Sequence, residues 1–214
     1  MKRISAFDLD HTLVSSNSSL LFYRHLMSKG FYRQISLIRT AFYSLRHHFM
    51  RLSLTALHEK IFERFLKGAP FSLVQEEVKQ FLKRDFYRFL YHPTFERLRR
   101  AQHQGNHTVI LSNAPSFIVG PIADYLEVSE WYSSHYSVNE EGNFESIESI
   151  LLGEGKAECI DQMAKSFKIA REQVTAYSDS DLDLPFLHSA GTPVAANPNP
   201  KLLKVSKKNF WEII

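Results

Sequence analysis

A chain of 214 residues with 44% apolar residues, 23% charged residues and a net charge of +3 has an ordinary globular composition, which excludes disordered and fibrous classes. The length suits one substantial core with a smaller appended module rather than two full domains. A single cysteine, Cys159, excludes an internal disulfide framework and fits a reducing compartment; it is expected as a small buried residue on a helix.

Ile4-Ser5-Ala6-Phe7-Asp8-Leu9 is a short apolar run that predicts a buried strand. The apolar stretch ahead of Asp8 and Asp10 is too short for a signal peptide, and no run reaches the ~20 apolar residues of a membrane span. A cytoplasmic location is the expectation. From about Asn17 to Arg88 the apolar period turns helical. Ile35, Ile38, Phe42, Leu45 and Phe49 share one helix face, Leu54, Leu57, Ile61 and Phe65 another, and Ser72 with Gln75 reads as a capping box. After His92-Pro93, strands and helices alternate. A helix from about Thr94 ends at Gly105, the strand Thr108–Leu111 follows, and a helix starts near Pro115. Residues 132–144 read as strand and turn, bent at Glu141-Gly142-Asn143. A helix from Lys156, a strand Val174–Tyr177 and a strand Pro193–Ala196 complete the pattern.

Such alternation predicts an α/β fold, a Rossmann-like, mostly parallel sheet with helices on both faces. The helical block is then an insertion after the first strand. The expected division is a core of residues 1–15 and 92–214 and an all-helical cap of residues 16–91.

Ligands of open α/β sheets bind beyond the carboxyl ends of the strands. There the sequence places Asp8, Asp10 and Thr12 after the first strand, Ser112 and Asn113 after the second, and Asp179 to Asp183 after the fourth. Lys156 lies on the helix entering that strand. Carboxylates packed so closely repel unless a cation sits among them or one holds a proton. Few, hard oxygen ligands suit Mg²⁺ that keeps waters and binds phosphate, with Lys156 balancing the remaining charge. Ser112 offers a hydroxyl near a helix N-terminus, itself an anion site. A carboxylate nucleophile, a second carboxyl, a metal and a lysine are the parts of covalent phosphoryl transfer. In that scheme Asp8 attacks phosphorus and Asp10 serves as acid and then base.

Phe7-Asp8-Leu9-Asp10-His11-Thr12-Leu13 resembles the D-x-D-x-T motif of the haloacid dehalogenase (HAD) superfamily of phosphatases. Ser112-Asn113, Lys156 and the acidic run 179–183 resemble its later motifs, over about residues 3–200. The helical insertion and the run Tyr177–Leu187 are similar to the phosphoserine-phosphatase-like subfamily. The resemblance implies a magnesium-dependent phosphatase acting on a small phosphate monoester. It implies metal binding by Asp8, the Asp10 carbonyl and Asp179, phosphoryl contacts from Ser112, Asn113 and Lys156, and an orienting role for Asp183. Two departures stand out. Leu182 occupies a position where the subfamily carries a polar ligand, leaving Asp181 as a candidate replacement. The cap glutamate that holds the ammonium of phosphoserine has no counterpart near Asn17-Ser18, which argues against that substrate.

Between His11 and His58 there is no acid, while Arg24, Lys29, Arg33, Arg39, Arg46 and Arg51 occur. Arg39 and Arg46, seven apart, form a helix face suited to an anionic substrate tail or a lipid headgroup surface. Two alternatives follow: a receiver-like phospho-acceptor, and a peripheral membrane protein using the basic cap, with a lysophospholipid phosphate as substrate. Nucleic-acid binding is excluded by the modest charge and the lack of a recognisable module.

Overall fold

The computed structural model describes residues 2–29 and 53–214. Seven strands form one sheet: β1 (Ile4–Phe7), β2 (His107–Pro115), β3 (Glu130–Val138), β4 (Phe144–Ser149), β5 (Val174–Ser178), β6 (Thr192–Ala195) and β7 (Glu212–Ile213), in the order β4-β3-β2-β1-β5-β6-β7. All pairings are parallel except the β3–β4 pair at one edge. The helices are α1 (Ser18–Ser28), α2 (Leu54–Phe65), α3 (Phe71–Arg84), α4 (His92–His103), α5 (Ser116–Leu126), α6 (Gly153–Phe167), α7 (Leu184–Ser189) and α8 (Pro200–Lys208).

β1 is buried along its whole length between β2 and β5, as a central strand covered on both faces must be. Its side chains alternate. Ile4 and Ala6 join one apolar cluster with Ile160 and Met163 of α6, Phe186 and Leu187 of α7 and Leu202 of α8. Phe7 joins the opposite cluster with Leu98 of α4 and Phe117 and Ile118 of α5. The second cluster continues into the helical stretch between β1 and β2 through Phe22, Phe62, Val78 and Phe81. That stretch therefore packs directly on the sheet layer.

Several local expectations change. Ser72 does not cap α3: the helix begins one residue earlier, Pro70 stands at the cap position, and no side chain closes it. Residues 132–144 belong to a longer hairpin in which β4 returns antiparallel to β3. Asn139 shapes its turn, Oδ1 accepting from the N–H groups of Glu141 and Asn143. Gly142 adopts φ 81°, a left-handed conformation that suits glycine. α8 and β7 extend the fold past the last expected strand. α6 starts at Gly153 rather than at Lys156. Cys159 lies on α6 and is half-buried. The stripe from Ile35 to Phe49, with Arg39 and Arg46, falls outside the described residues. Among the described residues no helix is long and apolar enough to cross a membrane.

Phe81 joins the helical stretch together. Its ring lies 6.1 Å from Phe22, 5.7 Å from His25 and 6.0 Å from Phe86. Phe81→Ala leaves a cavity at a nearly inaccessible position and should cost about 3–5 kcal/mol. Urea unfolding followed by circular dichroism will show the midpoint falling with little change in slope.

Candidate active site

The site is assembled where β1, β2 and β5 end. Asp8 follows β1, its backbone N–H donating to the Tyr177 carbonyl of β5 at 2.9 Å. Its carboxylate is then held from two sides. Lys156 Nζ donates to Oδ1 at 2.7 Å, and the Thr12 hydroxyl lies 3.2 Å from Oδ2. Lys156 also donates to Asp183 Oδ2 at 2.7 Å, and that oxygen accepts a further bond from Ser178 Oγ at 2.7 Å. One ammonium thus joins the ends of β1 and β5 through two carboxylates. Lys156 is only 2% exposed. Its reach depends on Gly153, where a Cβ would stand 2.3 Å from the Leu182 carbonyl oxygen. Only glycine lets the start of α6 lie so close to the loop carrying Asp183.

Asp179 enters the same group. Its Oδ1 lies 3.4 Å from the Thr12 hydroxyl, so Asp8 and Asp179 face one another across a single buried threonine. Burial pushes the Asp8 carboxyl up; Lys156 pulls it down, and Asp183 and Asp179 push it up again. Burial alone would depress Lys156, but Asp8 and Asp183 outweigh it and hold the ammonium above its ordinary range. Burial takes Asp179 up to about 6 against the opposing pull of His11. Three carboxylates around one lysine leave a negative surplus that a cation is suited to neutralise.

Asp10 is anchored separately. Its Oδ1 accepts from the Ser18 N–H at 2.8 Å and its Oδ2 from Asn17 Nδ2 at 2.6 Å. The other end of the Asn17 amide caps α1, Oδ1 accepting from the Leu20 N–H at 2.9 Å. Burial raises the Asp10 carboxyl, opposed first by Ser18. His11, at φ 60°, turns the chain immediately after Asp10, and its carbonyl accepts from Asn197 Nδ2 at 3.1 Å.

Asp8, Asp10, Asn113, Lys156, Asp179 and Asp183 line one cleft of about 440 Å³. Thr12 is buried against Asp8 and Asp179 without lining it, and two further expected residues stand apart from it. Ser112 is fully buried, and its hydroxyl accepts from the Ala114 N–H at 3.1 Å. Asp181 turns away, accepting from Asn199 Nδ2 at 2.8 Å and lying 3.5 Å from Lys201, whereas the exposed Leu182 borders the cleft. Sequence reading overlooked Asn17, Ser18, Gly153 and Ser178 as parts of the site. An asparagine ahead of an apolar helical run is a capping signal that marks Asn17; nothing local marks its bond to Asp10.

Fold and site together define an α/β enzyme with a helical insertion following the first strand, its cleft at the strand ends. The chain belongs to the haloacid dehalogenase-like hydrolases, whose family pattern matches residues 6–188. It is 25% identical to a histidinol-phosphatase of Neisseria meningitidis, a likeness covering 100% of this chain and 99% of that one. A protein of unknown function from Bordetella pertussis Tohama I shares the fold with a TM-score of 0.86 at 22% identity, over 100% of this chain and 99% of that one. A phosphoserine phosphatase solved as a phospho-aspartyl intermediate analogue shares it with a TM-score of 0.65 at 18% identity, over 99% and 92%.

The raised Asp179 makes metal-free stability pH-dependent. The unfolded carboxyl loses its proton near its ordinary value and the folded one only near 6, so stability present below about pH 4 is lost as pH rises through 6. At this half-buried site Asp179→Asn should recover about 1 kcal/mol at pH 7, roughly 2–4 °C in Tm, and nothing at pH 4. Differential scanning calorimetry in a chelator reads both values.

Proposed function

We propose that the protein is a Mg²⁺-dependent phosphatase that hydrolyses a small phosphate monoester through an aspartyl-phosphate on Asp8. The observation supporting it most directly is the Lys156 ammonium held between Asp8 and Asp183, with Asp179 against the same threonine as Asp8. We further take residues 1–15 and 92–214 as the catalytic core and 16–91 as its cap.

The donor set fits a magnesium ion. Among the described residues no three His, Cys, Asp or Glu side chains form a metal cluster. Two carboxylates, Asp8 and Asp179, with the Asp10 backbone carbonyl make a sparse set of hard oxygens, as Mg²⁺ that retains waters requires. When bound, the ion supplies charge neutralisation at the phosphoryl oxygens. The protein's own groups carry the chemistry. An Asp8 carboxylate oxygen forms a bond to phosphorus as the bond to the ester oxygen breaks. Lys156 and the Asn113 side chain, both facing the cleft, hold phosphoryl oxygens. Ser112, fully buried next to Asn113 in β2, steadies this end of the strand by accepting from the Ala114 N–H. Asp183 and Ser178 keep Lys156 in place. Asp10, raised by burial, gives its proton to the departing alkoxide and later takes one from the water that cleaves the acyl phosphate. Membership of a hydrolase family favours this turnover over a stored phospho-aspartate.

Asp8→Asn should abolish 4-nitrophenyl phosphate hydrolysis, below about 10⁻³ of the parent rate, with an unchanged circular dichroism spectrum; retained activity would remove Asp8 from the reaction. Asp10→Asn should slow both formation and breakdown of the phosphoenzyme and flatten the pH profile, which rapid-quench kinetics across pH will show. Chelation should end turnover and added Mg²⁺ restore it.

A further inference from the structure

A second cavity, of about 180 Å³, opens beside the catalytic cleft, and Asp10, Asn17, Leu54 and Asn113 line both. The rest of its described lining is mainly apolar, with Phe22 and Leu26 from α1, Leu57 and Ile61 from α2, Phe117 from α5 and Tyr136 from β3, beside the polar Ser19 and His58. The face of α2 that looks onto it, at Leu54, Leu57, Ile61 and Phe65, is only half-buried, whereas Phe62 on the same helix is fully buried, its ring 5.4 Å from Tyr136. Among the described residues, an apolar helix stripe with periodic spacing thus lines a void rather than filling it.

The charges are equally informative. Asp10 is the one acid in the described lining, and both its oxygens are engaged by Asn17 and Ser18. No lysine or arginine is part of that lining. His58 also borders the cavity; its Nδ1 lies 2.7 Å from the Tyr136 hydroxyl, and burial lowers its pKa, which keeps the ring neutral. The sequence holds no Asp or Glu between His11 and His58, so that stretch offers no acid to a substrate ammonium. Among the described lining residues a substrate ammonium would find no free acid, and desolvating it there without a partner is costly.

We propose that the substrate is a phosphate monoester whose alcohol part is uncharged and mainly apolar, seated in this cavity against α2 while its phosphate lies beside Asp8 and Lys156. The assignment rests on the phosphatase reading and narrows it. A short aliphatic or aromatic alcohol and the acyl chain of a lysophospholipid phosphate share the required chemistry. Phosphoserine and histidinol phosphate, whose alcohol parts carry a charged ammonium, do not.

The test is phosphate release from n-alkyl phosphates from ethyl to hexyl, whose leaving groups differ little in acidity, beside glycerol phosphate, phosphoserine, histidinol phosphate and lysophosphatidate. The expected result is a rise in kcat/KM of about threefold to fourfold per methylene, with the charged esters at or below ethyl phosphate. A plateau by hexyl phosphate identifies a short alcohol; a continued rise to lysophosphatidate identifies an acyl chain. Ile61→Asp should lower kcat/KM for hexyl phosphate at least 30-fold while changing that for ethyl phosphate less than threefold. Leu57→Phe, which fills the cavity without adding charge, should impair the longest esters first and covers the case in which Ile61→Asp does not fold. A flat length dependence, a preference for phosphoserine or histidinol phosphate, or variants that lose stability and affect all esters equally would overturn the assignment and leave the phosphatase reading standing. No phosphate release from any ester would remove both.

Discussion

One buried ammonium sets the terms for the site. Lys156 lies between Asp8 and Asp183 at 2.7 Å from each, away from water, so the lysine cannot be removed without leaving two buried carboxylates unpaired. Breaking such a cluster costs far more than forming it returns. Its geometry is correspondingly demanding. β1 and β5 must lie side by side, α6 must begin against the Leu182 carbonyl, and residue 153 must lack a side chain. A buried cation joining two strand ends is an expensive way to hold a sheet together and a direct way to present a carboxylate to an anion.

The core was legible in the sequence for a reason that also marks its limits. β1, β2 and β5 are apolar runs buried on both faces, and the charged residues that end them leave the sheet at one rim. Asp8, Lys156, Asp179 and Asp183 could therefore be placed together from position alone. β4 could not. It is an edge strand with only Phe144 and Ile147 turned inward among glutamates and serines, so its alternation is weak, and its pairing is fixed by the Asn139 turn. β7 spans two residues, below any periodic signal. Ser112 was placed correctly along the chain, but the direction of its hydroxyl follows from the irregular stretch of β2 between Leu111 and Pro115, where the Ala114 N–H claims it. Asp181 likewise is captured by Asn199 of the late helix α8, an element absent from the sequence reading.

The α2 stripe makes a different point. Its spacing announced an amphipathic helix, and the helix is there. Periodicity reports which face avoids water; it does not report whether protein or ligand covers that face. Leu57, Ile61 and Phe62 lie on one helix, yet the first two border a void while Phe62 is packed against Tyr136. An apolar wall beside a strongly charged cleft suits the proposed substrate, with charge reading one end of the molecule and shape and hydrophobicity the other.

Asn17 uses the two ends of one amide for two purposes, closing the first turn of α1 and gripping Asp10. Fraying of that turn and release of the carboxylate are consequently coupled through Asn17. By reciprocity, whatever steadies α1 also tightens the hold on Asp10, and protonation of Asp10, which weakens its bond to the amide, loosens the helix start in equal measure. Helix order and proton affinity at this corner of the molecule are linked through one side chain.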